Sequence, residues 1–217
     1  MEFQFHNCIF VYKFLIMARA KNFDENEVLD KAVDIFRRRG FKTTTPEELV
    51  THLGISRSSL YNTYGDKHSL FIRSLQRYQE QTSKALNDLA SGNDDAMTAI
   101  RKIFDFTVDN CLEDAMPKGC FLVNSIVEFG ADDKETVAIV KESMDTNRST
   151  LLHIIKKGQK EGSISNIAKP GALADYLVNC LSGISVSTKG GANRAACETI
   201  IKNSLAILQP QKLPVSA

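Results

Sequence analysis

Between Thr45 and Gly65 the chain carries two short helical segments, each opened by a side chain able to cap it and each stopped by a glycine. No other stretch restricts the fold as much. Thr45 is a capping residue, Pro46 suits the first helical position, and Glu48 stands three residues after Thr45, where a capping box needs it. Leu49, Val50 and Leu53 form one apolar face before Gly54 ends the helix. Ile55 is apolar, Ser56 can cap a segment from Arg57 to Tyr64, and within it Leu60 and Tyr64 fall four residues apart on one side. Helix, glycine turn and helix over 45–64 is the layout of a helix-turn-helix, whose second helix enters the major groove of DNA while the first braces it. The remaining side chains of that second helix, Arg57, Ser58, Ser59, Tyr61, Asn62 and Thr63, can all hydrogen-bond, which suits a groove. Lys67 follows beside the unpaired amides opening the next helix, a combination that suits a phosphate.

The rest of the chain extends the helical reading. Asp24 and Glu27 have the capping-box form ahead of Val28, Leu29, Ala32, Val33 and Phe36, and Gly40 stops that helix after Arg37, Arg38 and Arg39. Asp66 opens a helix through Leu70, Phe71 and Leu75 towards Asn87. After the turn cluster 91–95, the periodicity predicts a helix through Ile100, Ile103, Phe104 and Val108 that ends near Pro117. A buried-looking stretch, Cys120 to Phe129, precedes a long helix from Asp132 or Asp133 to Gly162, and two further helices run from Pro170 to about Ser187 and from Asn193 to Leu208. The expected fold is therefore all-α: an N-terminal three-helix DNA-binding domain over 22–82 joined to a larger helical domain over 83–217 for effector binding and dimerisation.

Charge supports that division. The chain as a whole carries +1, which argues for no acidic partner, but 17–79 holds eleven Lys and Arg against eight acids, while 80–217 holds 15 against 17. Five cysteines lie far apart without C-x-x-C or Cys/His spacing, which fits neither a disulfide framework nor a metal site and points to the cytoplasm. The longest apolar run, Cys8 to Met17, is interrupted by Lys13 and too short to span a bilayer. Residues 1–21 are read as a leader, an upstream start or non-native extension, because Met17-Ala18-Arg19-Ala20-Lys21 has the form of a second start. None of the Ser, His and Asp residues stands in a motif that supports catalysis, so no enzyme and no cofactor is implied.

Thr43-Thr44-Thr45, Leu49-Val50, Leu53-Gly54-Ile55-Ser56, Ser59-Leu60-Tyr61, Tyr64 and Lys67 together resemble, in order and spacing, the N-terminal domain of TetR-family transcriptional regulators over 22–82. That resemblance implies phosphate contacts from Tyr61, Lys67 and the helix start at Thr44 and Thr45, and base-edge contacts from Arg57, Ser58, Ser59 and Asn62. Leu60 and Tyr64 would be core. The sequence departs from the family at Thr51-His52-Leu53, where small residues are common, and at Tyr64, where Phe is common. Membership also implies a homodimer on a palindromic double-stranded operator, a small-molecule effector and, most often, repression.

In the C-terminal part, Phe104, Val108, Cys120, Phe121 and Asn124 are the candidate effector-pocket residues, with Phe106 and Phe129 as further aromatic candidates. The small residues Ala174, Ser182, Gly183, Ala195 and Ala196 beside Leu/Ile stripes would let two copies pack a four-helix interface, or the stripes bury in their own domain. Cys111 and Cys120 are either a thiol switch or small buried hydrophobes. Cys180 and Cys197 are expected in the core, and His153 in a helix interior. The rival function is a helical protein-interaction module that no longer meets DNA.

Overall fold

The computed structural model describes residues 23–113 and 117–210, so the leader expected over 1–21 lies outside the described residues. Among the described residues there are nine helices and no strand: α1 (Glu25–Arg39), α2 (Pro46–Leu53), α3 (Arg57–Tyr64), α4 (Lys67–Ala90), α5 (Ala96–Cys111), α6 (Phe121–Phe129), α7 (Lys134–Glu161), α8 (Pro170–Lys189) and α9 (Arg194–Ala206). None is long and apolar enough to cross a membrane.

Local chemistry starts and stops most of them. Asp24, Ser56, Asp66, Asp95, Asp133 and Asn193 each accept a backbone N–H of the helix they precede. Glu27 does not complete the box expected with Asp24; it pairs with Lys31 at 2.7 Å, one turn along the exposed face. The end of α5 also differs from expectation. The helix stops at Cys111 rather than near Pro117, and the Cys111 carbonyl is taken by the Lys118 N–H at 3.2 Å.

Two apolar cores meet along α4. Val28, Phe36, Leu49, Leu53, Leu60, Leu70, Phe71 and Leu75 build the first, and Ile100, Ile103, Phe104, Leu151, Ile155, Leu177, Ile184 and Ile201 belong to the second. Along α4, Tyr78 is the last residue in the first core and Leu86 the first in the second, while the helix itself runs unbroken through position 82. The first core is not confined to the N-terminal helices. Phe121, Leu122, Ile139 and Val140 reach into it from α6 and α7, and Phe121 packs 5.4 Å from Phe71 and 5.9 Å from Tyr78, ring centre to ring centre.

Candidate nucleic-acid interface and effector cavity

The turn between α2 and α3 is set by Gly54, whose φ of 70° and ψ of 25° place it in the left-handed region that only glycine enters without strain. At the other end of α2 the capping box is complete: the Glu48 N–H donates to the Thr45 hydroxyl at 3.2 Å and the Thr45 N–H to the Glu48 carboxylate at 2.8 Å. Leu60 and Tyr64 anchor α3 in the core, which leaves Arg57, Ser58 and Asn62 exposed and Ser59, Tyr61 and Thr63 half-buried. The polar face expected to enter a groove is thus turned outward.

Several of these side chains already have partners. The Arg57 guanidinium lies 3.0 Å from the Glu47 carboxylate and over the Tyr61 ring; with both ends of the ion pair mostly exposed, little opposes a turn towards DNA. The Ser59 hydroxyl is 2.8 Å, and the Ser58 hydroxyl 3.0 Å, from the capping Ser56 hydroxyl. Lys67 holds its ammonium 4.3 Å from the centre of the Phe41 ring, and burial lowers its pKa against the opposing pull of Glu128 and Glu48. Thr44 departs from its expected phosphate role. It is 1% exposed and its hydroxyl donates inward to the Gly40 carbonyl at 2.6 Å. Thr45 remains exposed at the helix start.

The departures from the family pattern are absorbed locally. Thr51 and His52 point outward, His52 reaching to 3.4 Å from Asp34, and only Leu53 enters the core. Tyr64 keeps its ring inside, so its hydroxyl is buried without a hydrogen-bond partner among the described residues.

The C-terminal end of α1 is clasped by the second half of the chain. Arg37, 5% exposed, donates to the carbonyls of Asn110 at 2.9 Å and Gly119 at 2.7 Å, and its guanidinium sits 5.1 Å from the centre of the Tyr78 ring. Among the described residues no carboxylate comes within ion-pair distance of it. Lys118, also buried, reaches Asp34 at 2.7 Å. Lys189 of α8 donates to the Arg37 carbonyl at 2.9 Å, and Glu128 of α6 accepts the N–H groups of Phe41 at 2.8 Å and Lys42 at 2.6 Å. Gly119 has a φ of 65° and would bring a Cβ to 3.1 Å from the Ser185 carbonyl, so the turn feeding this clasp requires glycine. None of this was visible in the sequence, where only the C-terminal Arg run of α1 hinted at a charged end.

A second joint lies at the start of α4, where His68 is 2.8 Å from Asp133, the capping residue of α7, and 3.7 Å from Glu135. The three groups are near enough to share a cation. Asp133 is already committed, however, since it also accepts the Thr136 hydroxyl at 2.7 Å; burial works against its charge, but Thr136 and His68 outweigh it and hold the carboxyl below its ordinary value. The trio is satisfied as a bridge between α4 and α7.

Behind the clasp, a partly open cavity of about 80 Å³ is lined by residues of α4, α5, α6, α7 and α8. Of the five expected pocket residues only Cys120 lines it. Phe104 and Val108 are buried in the second core and Phe121 is drawn into the aromatic cluster of the first. Asn124 faces α1 and donates to the Lys118 carbonyl at 2.9 Å. Phe106 does line the cavity, whereas Phe129 packs 5.1 Å from Phe41. Residues that sequence reasoning missed include Tyr78, Asn110, Ser143, Met144 and Asn147. Asn110 donates to the Tyr78 hydroxyl at 3.1 Å, and burial, then neighbouring Cys120, pushes that phenol well above its ordinary pKa. Burial also raises the Cys111 thiol, whose S–H points to the Ser185 hydroxyl at 3.7 Å, so it stays protonated. Cys197 is fully buried, Cys180 half-buried, and His153 exposed on α7 rather than inside the helix packing.

A short helix fixed by two core residues and baring a polar face, carried beside a larger helical body with its own cavity, defines a helix-turn-helix regulator. Comparison with known proteins agrees. Residues 28–73 match the family described as bacterial regulatory proteins, tetR family, and 96–203 match the tetracyclin repressor-like C-terminal domain. The HTH-type transcriptional regulator YezE of Bacillus subtilis (strain 168) is 30% identical over 196 residues, covering 88% of this chain and 100% of that protein. The HTH-type transcriptional repressor ComR of Escherichia coli (strain K12) is 27% identical over 81% of this chain and 84% of its own. Among solved structures, the reduced form of E. coli NemR shares the fold with a TM-score of 0.77 at 16% identity, covering 87% of this chain and 98% of that one. A cysteine mutant of the regulator CifR, complexed with 26 bp double-strand operator DNA, does so with a TM-score of 0.75 at 22% identity, covering 88% and 99%. The chain belongs to the TetR family of transcriptional regulators. Its family and relatives regulate transcription and are not enzymes.

Proposed function

We propose that this regulator is a cytoplasmic, ligand-responsive repressor that binds a palindromic double-stranded operator as a homodimer. The observation that carries the DNA-binding face is the outward display of Arg57, Ser58 and Asn62 from a helix pinned by Leu60 and Tyr64. Thr45, Tyr61 and Lys67 flank that face and would hold phosphates, while Ser59 adds a hydroxyl to the base-reading set. That ComR is a repressor, and that CifR was crystallised on operator DNA, supports the reading by analogy.

The exposed sides of α8 and α9 favour a dimer. Gly183, Ala195 and Ala196 are exposed there beside Tyr176, Val186 and Ile207, the last two more than half exposed. Ala174 takes no part, being fully buried in its own domain, and Ser182 turns towards the cavity. Two recognition helices would then meet successive major grooves about 34–36 Å apart. Occupancy of the cavity would act on the α1 clasp, and a coupling of ~1–3 kcal/mol suffices to lower operator affinity about 5- to 150-fold.

Two variants test the face. Lys67→Ala is expected to weaken binding to every duplex and to reduce the salt slope by about one unit, whereas Asn62→Ala is expected to change the preferred base at one position of each half-site. An unchanged preference in Asn62→Ala removes that side chain from the groove. Loss of nothing in either variant favours the interaction-module reading instead.

A further inference from the structure

We propose that the cavity binds a small, uncharged, mainly apolar molecule carrying one hydrogen-bond-donating head, such as an alcohol, and that Ser143 and Asn147 of α7 hold that head. The proposal rests on the reading of this cavity as the effector site and specifies what it takes.

Among the described residues no charged side chain lines the cavity, so an ion inside it would lose its hydration with no counter-charge in return. Phe106 and Met144 are among the apolar residues that supply much of the wall and suit an alkyl body. The four hydroxyls of Thr82, Thr107, Ser182 and Ser185 each spend their single proton on a carbonyl of their own helix, at 2.8, 3.0, 3.1 and 3.0 Å. What they offer the cavity is therefore lone pairs, and a guest meets a surplus of acceptors.

Ser143 and Asn147 are different. They stand one turn apart on the same face of α7, Ser143 is only 2% exposed, and neither side chain forms a hydrogen bond to a described residue. The Ser143 hydroxyl is not among the fully buried orphan atoms, so the little surface it keeps lies on the cavity wall, and its partner there is the occupant. At about 80 Å³ the space is roughly half of an engineered ~150 Å³ cavity that holds the six carbons of benzene, which limits the part of a guest inside it to about three non-hydrogen atoms, any longer tail reaching out along exposed Met144. Water is the rival occupant.

The test uses the full chain, isotopically labelled, and three probes of equal carbon count: 1-butanol, its isomer diethyl ether, which cannot donate, and butyrate, which is charged. 1-Butanol is expected to bind saturably, shifting the amide resonances around Ser143 and Asn147, with the ether weaker and butyrate without effect. Ser143→Ala and Asn147→Leu, each checked for an unchanged unfolding temperature, are expected to weaken 1-butanol about tenfold, the worth of one hydrogen bond. Failure of 1-butanol to saturate the cavity leaves water as the occupant and overturns the proposal, as do equal binding of butyrate or undiminished binding in both variants. Operator affinity measured on the same samples separates the two levels. Selective 1-butanol binding with unchanged operator affinity sustains the ligand class and removes the effector role.

Discussion

Tyr64 shows how one atom can stand against an otherwise consistent fold. Its ring belongs to the first core, with the Arg73 guanidinium 4.9 Å from the ring centre, yet its hydroxyl is buried with no partner among the described residues. Tyr64→Phe removes the orphan group and keeps the ring, so stability should rise by about 1 kcal/mol and Tm by about 2–4 °C. A calorimetric scan showing a lower Tm would mean the hydroxyl is satisfied in solution. The neighbours Thr44 and Thr45 mark the limit of reading single residues from sequence. Both are threonines at a helix start; the extended backbone at Thr45, with φ of −86° and ψ of 158°, makes it the cap and turns Thr44 inward to Gly40. Leu60 and Tyr64 were legible as core because a four-residue spacing fixes a helical face, whereas the partners of Arg57 and Lys67 depend on where Glu47 and Phe41 come to lie.

At the level of the element, the helices themselves were legible because caps, glycine stops and apolar periodicity are local. Their mutual arrangement was not. The assignment of α6 and the first turns of α7 to the core of the N-terminal helices depends on contacts more than 80 residues apart in the chain, such as Arg37 with Gly119. The same reason explains the missed pocket residues: periodicity sets Phe104 on the core stripe and Phe106 off it, but which helices Phe106 then faces depends on how distant parts of the chain pack. The clasp gives two predictions. Arg37→Leu leaves the carbonyls of Asn110 and Gly119 without their donor and should cost about 1–3 kcal/mol in denaturant unfolding. An unchanged midpoint would show that the clasp contributes nothing to stability. Asp34 ties α1 to Lys118 at 2.7 Å and pairs with Arg38 of the same helix at 2.9 Å; burial opposes its charge, but these two partners outweigh burial and keep the carboxyl below its ordinary value. The unfolded chain therefore takes up that proton at higher pH than the folded one. The stability it supplies is complete above the ordinary carboxylate range and is lost as pH falls through that range towards the lowered value. Asp34→Asn should be less stable near neutrality and lose less on acidification, and an acid limb as steep as that of the parent chain would place the titrating group elsewhere.

For the whole molecule, an N-terminal helix-turn-helix followed by a larger helical part was legible from the resemblance; along α4 the two cores part between Tyr78 and Leu86, but the first also takes Phe121 and Val140 from beyond residue 82. Under the proposed function, the continuity of α4 between the two cores would carry a change behind Tyr78 to the DNA-binding helices as a rigid displacement. Dimerisation can be tested without harming the protomer, because a Cβ built at Gly183 meets nothing within 4 Å. Gly183→Arg should therefore fold normally, sediment as a monomer and lose most operator affinity, since each half-site would be bound alone. A dimer that survives the change would place the interface away from this face of α8. The central claim, a dimer reading two half-sites through α3, is tested most directly by selecting bound sequences from a randomised duplex pool at two salt concentrations. The account predicts a recovered palindrome, half-sites centred about one helical turn or a multiple apart, with affinity falling steeply as salt rises. Recovery of no sequence, with weak binding insensitive to salt, would contradict it.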